Sequence, residues 1–479
     1  MSAERTAARS AKGRWIEDWD AEDEQYWERG GKRIARRNLY LSVVSEHIGF
    51  SIWSMWSVLV LFMTPGIGLG FAPDEKFLLV VTPTLVGALL RPSYSYAVTR
   101  FGGRNWTVFA SAILLVPAAL TVFFIQRPGT PLWVFLLISA LGGVGGGNFA
   151  SSMTNITGFF PRRHQGWALG LNAGGGNLGV AAVQLLGLLV ISTAGDDHPA
   201  YIAAFYLPLI ALVSLVCAFK MDNIATVRTD PGAQREALAQ RDTWLISLLY
   251  IGTFGSFIGY GFAFGLVLQT QFGSTPLEAA SYTFLGPLLG SFSRPFGGWL
   301  ADRFGGARIT LITFAGMGAG TGVLLLASAR DSLTIFIAGF TALFVLSGIG
   351  NGSTYKLIPA AFTRQAEARI VRGGDATRAF ATARRLSGAA IGISGAIGAL
   401  GGVAINLAFR GAYSGGASNG TPAFLSFLGY YAVCAAVVWA VYVRRERAGS
   451  PAAQQQQQQQ PQPQQQTAAA ATRPENVHV

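Results

Sequence analysis

The sequence predicts an all-α membrane protein of twelve transmembrane helices arranged as two parallel six-helix halves, and three observations lead there. Of 479 residues, 51% are hydrophobic and only 13% are charged, whereas soluble domains carry about 25% charged residues. Apolar runs of about 20 residues, enough to cross a hydrocarbon core of roughly 30 Å, recur along the whole chain. The chain also repeats itself at a spacing of 203 residues.

Twelve apolar runs can be marked: 39–63, 77–99, 104–126, 131–156, 166–191, 201–220, 243–270, 280–302, 308–329, 332–360, 381–409 and 422–443. Strand-built barrels use segments near ten residues with alternating polarity, so these runs are helices. Connections are short except 221–242 and 361–380. The expected domains are therefore a cytoplasmic N-terminal segment (1–38), a six-helix bundle (39–220), a cytoplasmic linker (221–242) and a second six-helix bundle (243–445). A Gln-rich tail (446–479), with Gln454 to Gln466 interrupted by two prolines, reads as disordered.

Orientation follows from the basic residues. The chain has 36 Lys plus Arg, and three of them (Arg91, Arg294 and Lys356) fall inside the runs. Of the remaining 33, only Lys76, Arg127, Arg330 and Arg410 lie in the odd-numbered loops. Positive charge stays on the cytoplasmic side, so both termini are expected in the cytoplasm. The expected location is the cell (cytoplasmic or inner) membrane of a bacterium. The net charge of +12 is thus a topology signal and implies no nucleic acid. Residues 1–38 hold no apolar core of the kind a signal peptide needs. Within them Trp15, Trp19 and Tyr26 are spaced to share a helix face, and a cytoplasmic helix against the membrane or the bundle is expected. Cys217 and Cys434 stand alone in apolar runs, so neither a disulfide nor a metal pair is expected, and no cofactor is called for.

The repeat is specific. LVGALLRPSYSYAVTRFGG (85–103) aligns without gaps to LLGSFSRPFGGWLADRFGG (288–306), and eight of the nineteen positions are identical. Arg91 matches Arg294, Pro92 matches Pro295, and both copies end in Arg-Phe-Gly-Gly. The same shift pairs Gly145-x-Gly147-Asn148 with Gly348-x-Gly350-Asn351. A parallel six-plus-six repeat is the architecture of the major facilitator superfamily, in which a midplane site lies between halves that rock around it. Gly298-x-x-x-Asp302-Arg303-x-Gly305-x-x-Arg308 resembles the cytoplasmic loop motif of that superfamily, and its first-half copy has Thr99 in place of the acid.

Five ionisable residues fall inside runs: Glu46, His47, Arg91, Arg294 and Lys356. Charges there are expensive and mark function by default. Arg91, Arg294 and Glu46 each lie nine residues from a basic residue at a helix end, and Lys356 lies eight from Arg364. At 1.5 Å per residue the four should share one layer roughly 12–14 Å deep. Two arginines facing across the repeat axis would clamp one compact anion, because the planar guanidinium fork donates two parallel hydrogen bonds. Glu46 and Lys356 can be a buried pair that neutralises itself. Alternatively, Glu46 takes up and releases a proton, since burial disfavours a charged carboxyl and a neighbouring cation favours it. His47 is expected to be a packed or hydrogen-bonded histidine. Glycines at every third or fourth position in 166–179 and 388–402 suit close helix approach. GVGGGN is no phosphate loop, and no serine, cysteine or histidine constellation points to catalysis.

Over residues 32–445 the chain resembles the nitrate/nitrite porters (NarK-type) of the major facilitator superfamily. The resemblance rests on GALLRPSYS, GGGNFASSMTNITGFFP (145–161), ALGLNAGGGNLGV (168–180), TFGSFIGY (253–260) and GIGNGSTYKLIP (348–359). It implies that Arg91 and Arg294 hold the anion, that Phe149 and Phe254 sandwich it, and that Tyr250 and Asn177 lie at or beside it. Nitrate, which is flat, weakly hydrated and singly charged, suits such a cleft. Some members lack buried titratable groups and exchange one anion for another. Ser45-Glu46-His47 and Tyr355-Lys356 set this chain nearer the branch that takes up nitrate with protons. The expectation is nitrate, and with it nitrite, uptake with protons by a monomer in the lipid bilayer. Nitrate/nitrite antiport is the alternative, and an anion sensor or an organic-phosphate carrier is a more remote one. No enzymatic activity is expected.

Overall fold

The computed structural model describes residues 14–225, 231–416 and 419–444. The Gln-rich tail lies outside them. Among the described residues, eleven helical segments are long and apolar enough to cross a membrane. They are span 1 (Glu24–Phe62), span 2 (Pro73–Phe101), span 3 (Gly103–Phe124), span 4 (Leu132–Phe159), span 5 (Arg162–Ala194) and span 6 (Ala200–Lys220). In the second half follow span 7 (Arg241–Phe272), span 9 (Gly306–Ala329), span 10 (Leu333–Val371), span 11 (Ala376–Ala412) and span 12 (Thr421–Val443). The run expected at 280–302 folds as the helix Leu285–Phe304, here span 8, preceded by a short helix Pro276–Thr283. It is less apolar than the others because Arg294, three serines or prolines beside it and the Asp302-Arg303 end occupy its second half.

Large apolar side chains cover the outside, among them Leu89, Trp133, Phe219 and Ile312, each more than 60% exposed. Such a surface would drive aggregation in water and is at home in lipid. This is a multi-pass membrane protein. The repeat is visible in the backbone: spans 2 and 8 both end at a glycine with left-handed φ, Gly102 at +89° and Gly305 at +94°. A side chain would be strained in that conformation, which explains why both copies keep Arg-Phe-Gly-Gly.

The halves meet along spans 1 and 7, 2 and 11, and 5 and 8. Away from the basic end they are stitched together. Gln184 Nε2 of span 5 donates to the Gly261 carbonyl of span 7 at 2.7 Å. Gln269 Nε2 donates to the Leu61 carbonyl at 3.2 Å, and Trp53 meets Phe262 edge-on at 5.1 Å.

The N-terminal segment departs from expectation. Residues 15 and 16 form a strand, β1 (Trp15–Ile16), paired in parallel with β2 (Asn223–Ile224) of the linker between the halves. The segment does lie against the bundle. Trp19 donates from its indole to the Gly158 carbonyl and packs edge-on against Phe159. Asp222, fully buried beside β2, is held by Arg37, by Arg14 at 3.5 Å and by Asn38 at 3.1 Å. Local spacing cannot reveal this arrangement, because the pairing partner lies some two hundred residues away.

Candidate functional site

Arg91 projects from span 2 at the residue before Pro92, and Arg294 from span 8 before Pro295. Each proline removes one backbone hydrogen bond and loosens the helix at that turn. Arg91 is 2% exposed, and its Nη1 donates to the Gly395 carbonyl of span 11 at 2.6 Å. Its guanidinium lies 4.8 Å from the Phe149 ring centre and 5.2 Å from that of Phe254. Arg294 lies 6.0 Å from the Phe254 ring and donates to the Tyr250 hydroxyl at 3.2 Å. The structure thus brings both arginines to the Phe254 ring.

Phe254 owes its position to a break in helical geometry. Ile251–Gly255 is a turn of π-helix within span 7, a distortion that recurs at functional sites. Tyr250 stacks on Phe254 at 5.1 Å and 7°. Glycines of span 11 make room for this turn: a Cβ on Gly398 would come within 2.4 Å of the Tyr250 ring, and one on Gly401 within 2.7 Å of the Ile251 carbonyl.

Several donor atoms here are buried with no hydrogen-bond partner among the described residues: Nε and Nη2 of Arg91 and Nη1 of Arg294, while the Tyr355 hydroxyl has only the Tyr250 hydroxyl beside it. Both amide atoms of Asn177, on span 5, are also buried without a partner among the described residues. Buried donors are normally satisfied. A convergent set of unsatisfied ones describes a place for an anion. A cavity of about 890 Å³ leads to Arg91 and Tyr355. Arg91, Phe149, Tyr355 and Gly395 line its inner part, and Trp19, Glu22, Arg162, Arg384 and Arg385 line its mouth on the basic face.

Glu46 is fully buried. One carboxyl oxygen accepts from Ser152 and, at 2.6 Å, from the Asn172 amide, while the other oxygen has no partner among the described residues. Ser152 and Asn172 lie inside motifs legible in the sequence, but nothing in spacing alone links them to Glu46. His47 Nδ1 is in hydrogen-bond contact with the Gly175 carbonyl at 3.1 Å.

Lys356 corrects the expectation of a Glu46–Lys356 layer. Its ammonium pairs with Asp302 at 2.8 Å, and both side chains are about half exposed or more. Span 10 continues to Val371, well past the assumed helix end, and the long lysine stem carries its charge to the loop motif at the end of span 8.

A buried cationic site between the two repeat-related helical halves, reached from one face and sealed on the other, is the working part of a membrane transporter. Comparisons agree. Residues 48–390 match the Major Facilitator Superfamily. The chain is 39% identical over 452 residues to the nitrate/nitrite transporter NarU of Salmonella typhimurium, covering 90% of this chain and 96% of the relative. It is 33% identical over 381 residues to the probable nitrate/nitrite antiporter NarK2 of Thermus thermophilus, covering 74% and 84%. Among solved structures it is similar to the nucleoside transporter NupG (TM-score 0.59, 12% identity, 85% of this chain and 100% of that one). It is also similar to an inward-facing, unoccupied bacterial homologue of the lysosomal transporter Spinster (TM-score 0.57, 17% identity, 84% and 96%). At those identities the structural likeness concerns the fold alone. The chain belongs to the nitrate/nitrite porter family of the Major Facilitator Superfamily.

Proposed function

We propose that this chain carries nitrate, and nitrite, across the cell membrane by alternating access, with Arg91 and Arg294 holding the anion. The observation that supports it most is the pair of guanidinium groups over Phe254, with donors left unpaired at the inner end of the cavity. A flat, weakly hydrated, singly charged anion fits between fork-shaped donors and aromatic faces. A tetrahedral dianion would bring more hydration to strip and more bulk. Phe149 and Phe254 form the walls of the cleft, and Tyr250 and Asn177 supply polar contacts around it. In this reading the basic face is cytoplasmic, the structure is inward-open, and both termini are cytoplasmic. The contacts of Gln184, Gln269 and Trp53 are those that part when the site opens outward.

Coupling is read through Glu46. Among the described residues it makes no ion pair: Lys356 pairs with Asp302, its carboxyl accepts only from neutral donors, and Arg91 and Arg294 act on it from beyond contact distance. An unpaired buried carboxylate is costly, and a proton removes that cost. This favours nitrate/proton symport over nitrate/nitrite antiport. Purified protein in liposomes separates the two. Symport acidifies the lumen as nitrate enters and needs no internal nitrite. Antiport needs internal nitrite and leaves lumenal pH unchanged. If neither condition supports nitrate entry, the transport reading falls.

A further inference from the structure

Tyr355 lines the inner cavity, yet the anion contacts implied by the family resemblance leave it out. Its position is unusual. The ring lines the cavity and lies 4.7 Å from Tyr250, and the Arg294 guanidinium sits 5.5 Å from its centre. Its hydroxyl is buried and interacts with the Tyr250 hydroxyl beside it, but meets full hydrogen-bond geometry with none of the described residues, so it is available to a better acceptor. Gly395 shows where that hydroxyl points. A Cβ on Gly395 would lie 3.2 Å from it and 3.8 Å from the Phe149 ring, and the Gly395 carbonyl is the one that Arg91 grips. The hydroxyl therefore stands where Arg91, Phe149 and span 11 converge.

We propose that Tyr355 is a specificity-determining residue whose hydroxyl donates to the third oxygen of a planar trioxo anion held by Arg91 and Arg294. This rests on the nitrate reading above. Two guanidinium groups approach from spans 2 and 8 and serve two oxygens. Nitrate has a third oxygen in the same plane, and once desolvated it needs a donor from another direction. Nitrite presents only its nitrogen lone pair in that direction, set back by one N–O bond length, so the same donor falls short of it. A site built around a hydrogen bond discriminates against whatever leaves that bond unmade. Tyr355 thus sets the preference for nitrate over nitrite, while the arginines set affinity for both.

The test is titration calorimetry of the full chain in detergent with sodium nitrate and, separately, sodium nitrite, for wild type and Tyr355→Phe. Losing a hydrogen bond to a charged group should weaken nitrate binding about tenfold or more, and nitrite binding should stay within about threefold of wild type, the ordinary scatter of a small context effect. Equal loss for both anions, or no loss for either, overturns the inference and leaves the nitrate reading intact. Failure of wild type to bind either anion sinks that reading instead. Should Tyr355→Phe fail to fold, Gly395→Ala displaces the same hydroxyl without removing it. It must lower the nitrate-to-nitrite affinity ratio in the same direction, and an unchanged ratio overturns the inference.

Discussion

Replacing Arg91 by lysine keeps the charge and removes the fork. In the structure Arg91 spends one donor, Nη1, on the Gly395 carbonyl and leaves Nε and Nη2 unpaired. A lysine ammonium can keep the carbonyl or face the anion, but it cannot present two further parallel donors in one plane. At least one charge-assisted hydrogen bond to the anion is lost, about 1.5–3 kcal/mol. Part of the stacking over Phe149 at 4.8 Å and Phe254 at 5.2 Å goes too, about 0.5–2 kcal/mol. The lower ends sum to about 2 kcal/mol, or about thirtyfold in affinity. Calorimetric titration with nitrate reads this directly, and proteoliposome uptake should fall to background. Nitrate affinity within threefold of wild type would refute the argument that geometry, rather than charge, holds the anion.

Arg294→Lys should weaken nitrate in the same assay, because its free Nη1 is lost along with the contact to Tyr250. Glu46→Gln should abolish lumenal acidification during nitrate entry while nitrate counterflow continues, and acidification at the wild-type ratio would dispose of Glu46 as the proton carrier. Lys356→Ala removes a half-exposed pair with Asp302, worth about 0–1 kcal/mol. Nitrate affinity should stay unchanged, and a tenfold loss would return Lys356 to the site. A Cβ on Gly145 would sit 2.2 Å from the Gly49 carbonyl, whereas one on Gly170 meets nothing within 4 Å. Gly145→Ala should therefore cost about 1–3 kcal/mol through overpacking of spans 1 and 4, seen as a lower melting temperature in detergent, and Gly170→Ala should melt as wild type does.

Much of the architecture was legible because lipid imposes simple rules. Apolar length marks each span, basic loops mark one face, and a gapless repeat pairs Arg91 with Arg294. Span 8 was the least apolar of the runs for a good reason, since it carries one of the two arginines. Other features escaped because they depend on contacts between distant segments. Depth counting placed Lys356 by its backbone position and so missed the reach of its side chain to Asp302. The face-sharing of Trp15 and Trp19 suggested a helix, but pairing with Asn223–Ile224 drew the first of them into a strand. The π-turn under Phe254 leaves no mark in hydrophobic periodicity, and its glycine neighbours Gly398 and Gly401 lie on another span. Ser152 and Asn172 became partners of Glu46 only once spans 1, 4 and 5 were assembled.

The central claim is that one anion is held jointly by arginines from opposite halves. A crystal structure of the protein grown in saturating nitrate tests it most directly. The account predicts a planar anion beside Phe254, with oxygens within about 3.2 Å of guanidinium nitrogens of both Arg91 and Arg294. An anion bound only at the basic mouth near Arg162 and Arg384, with both inner arginines unoccupied, would contradict it.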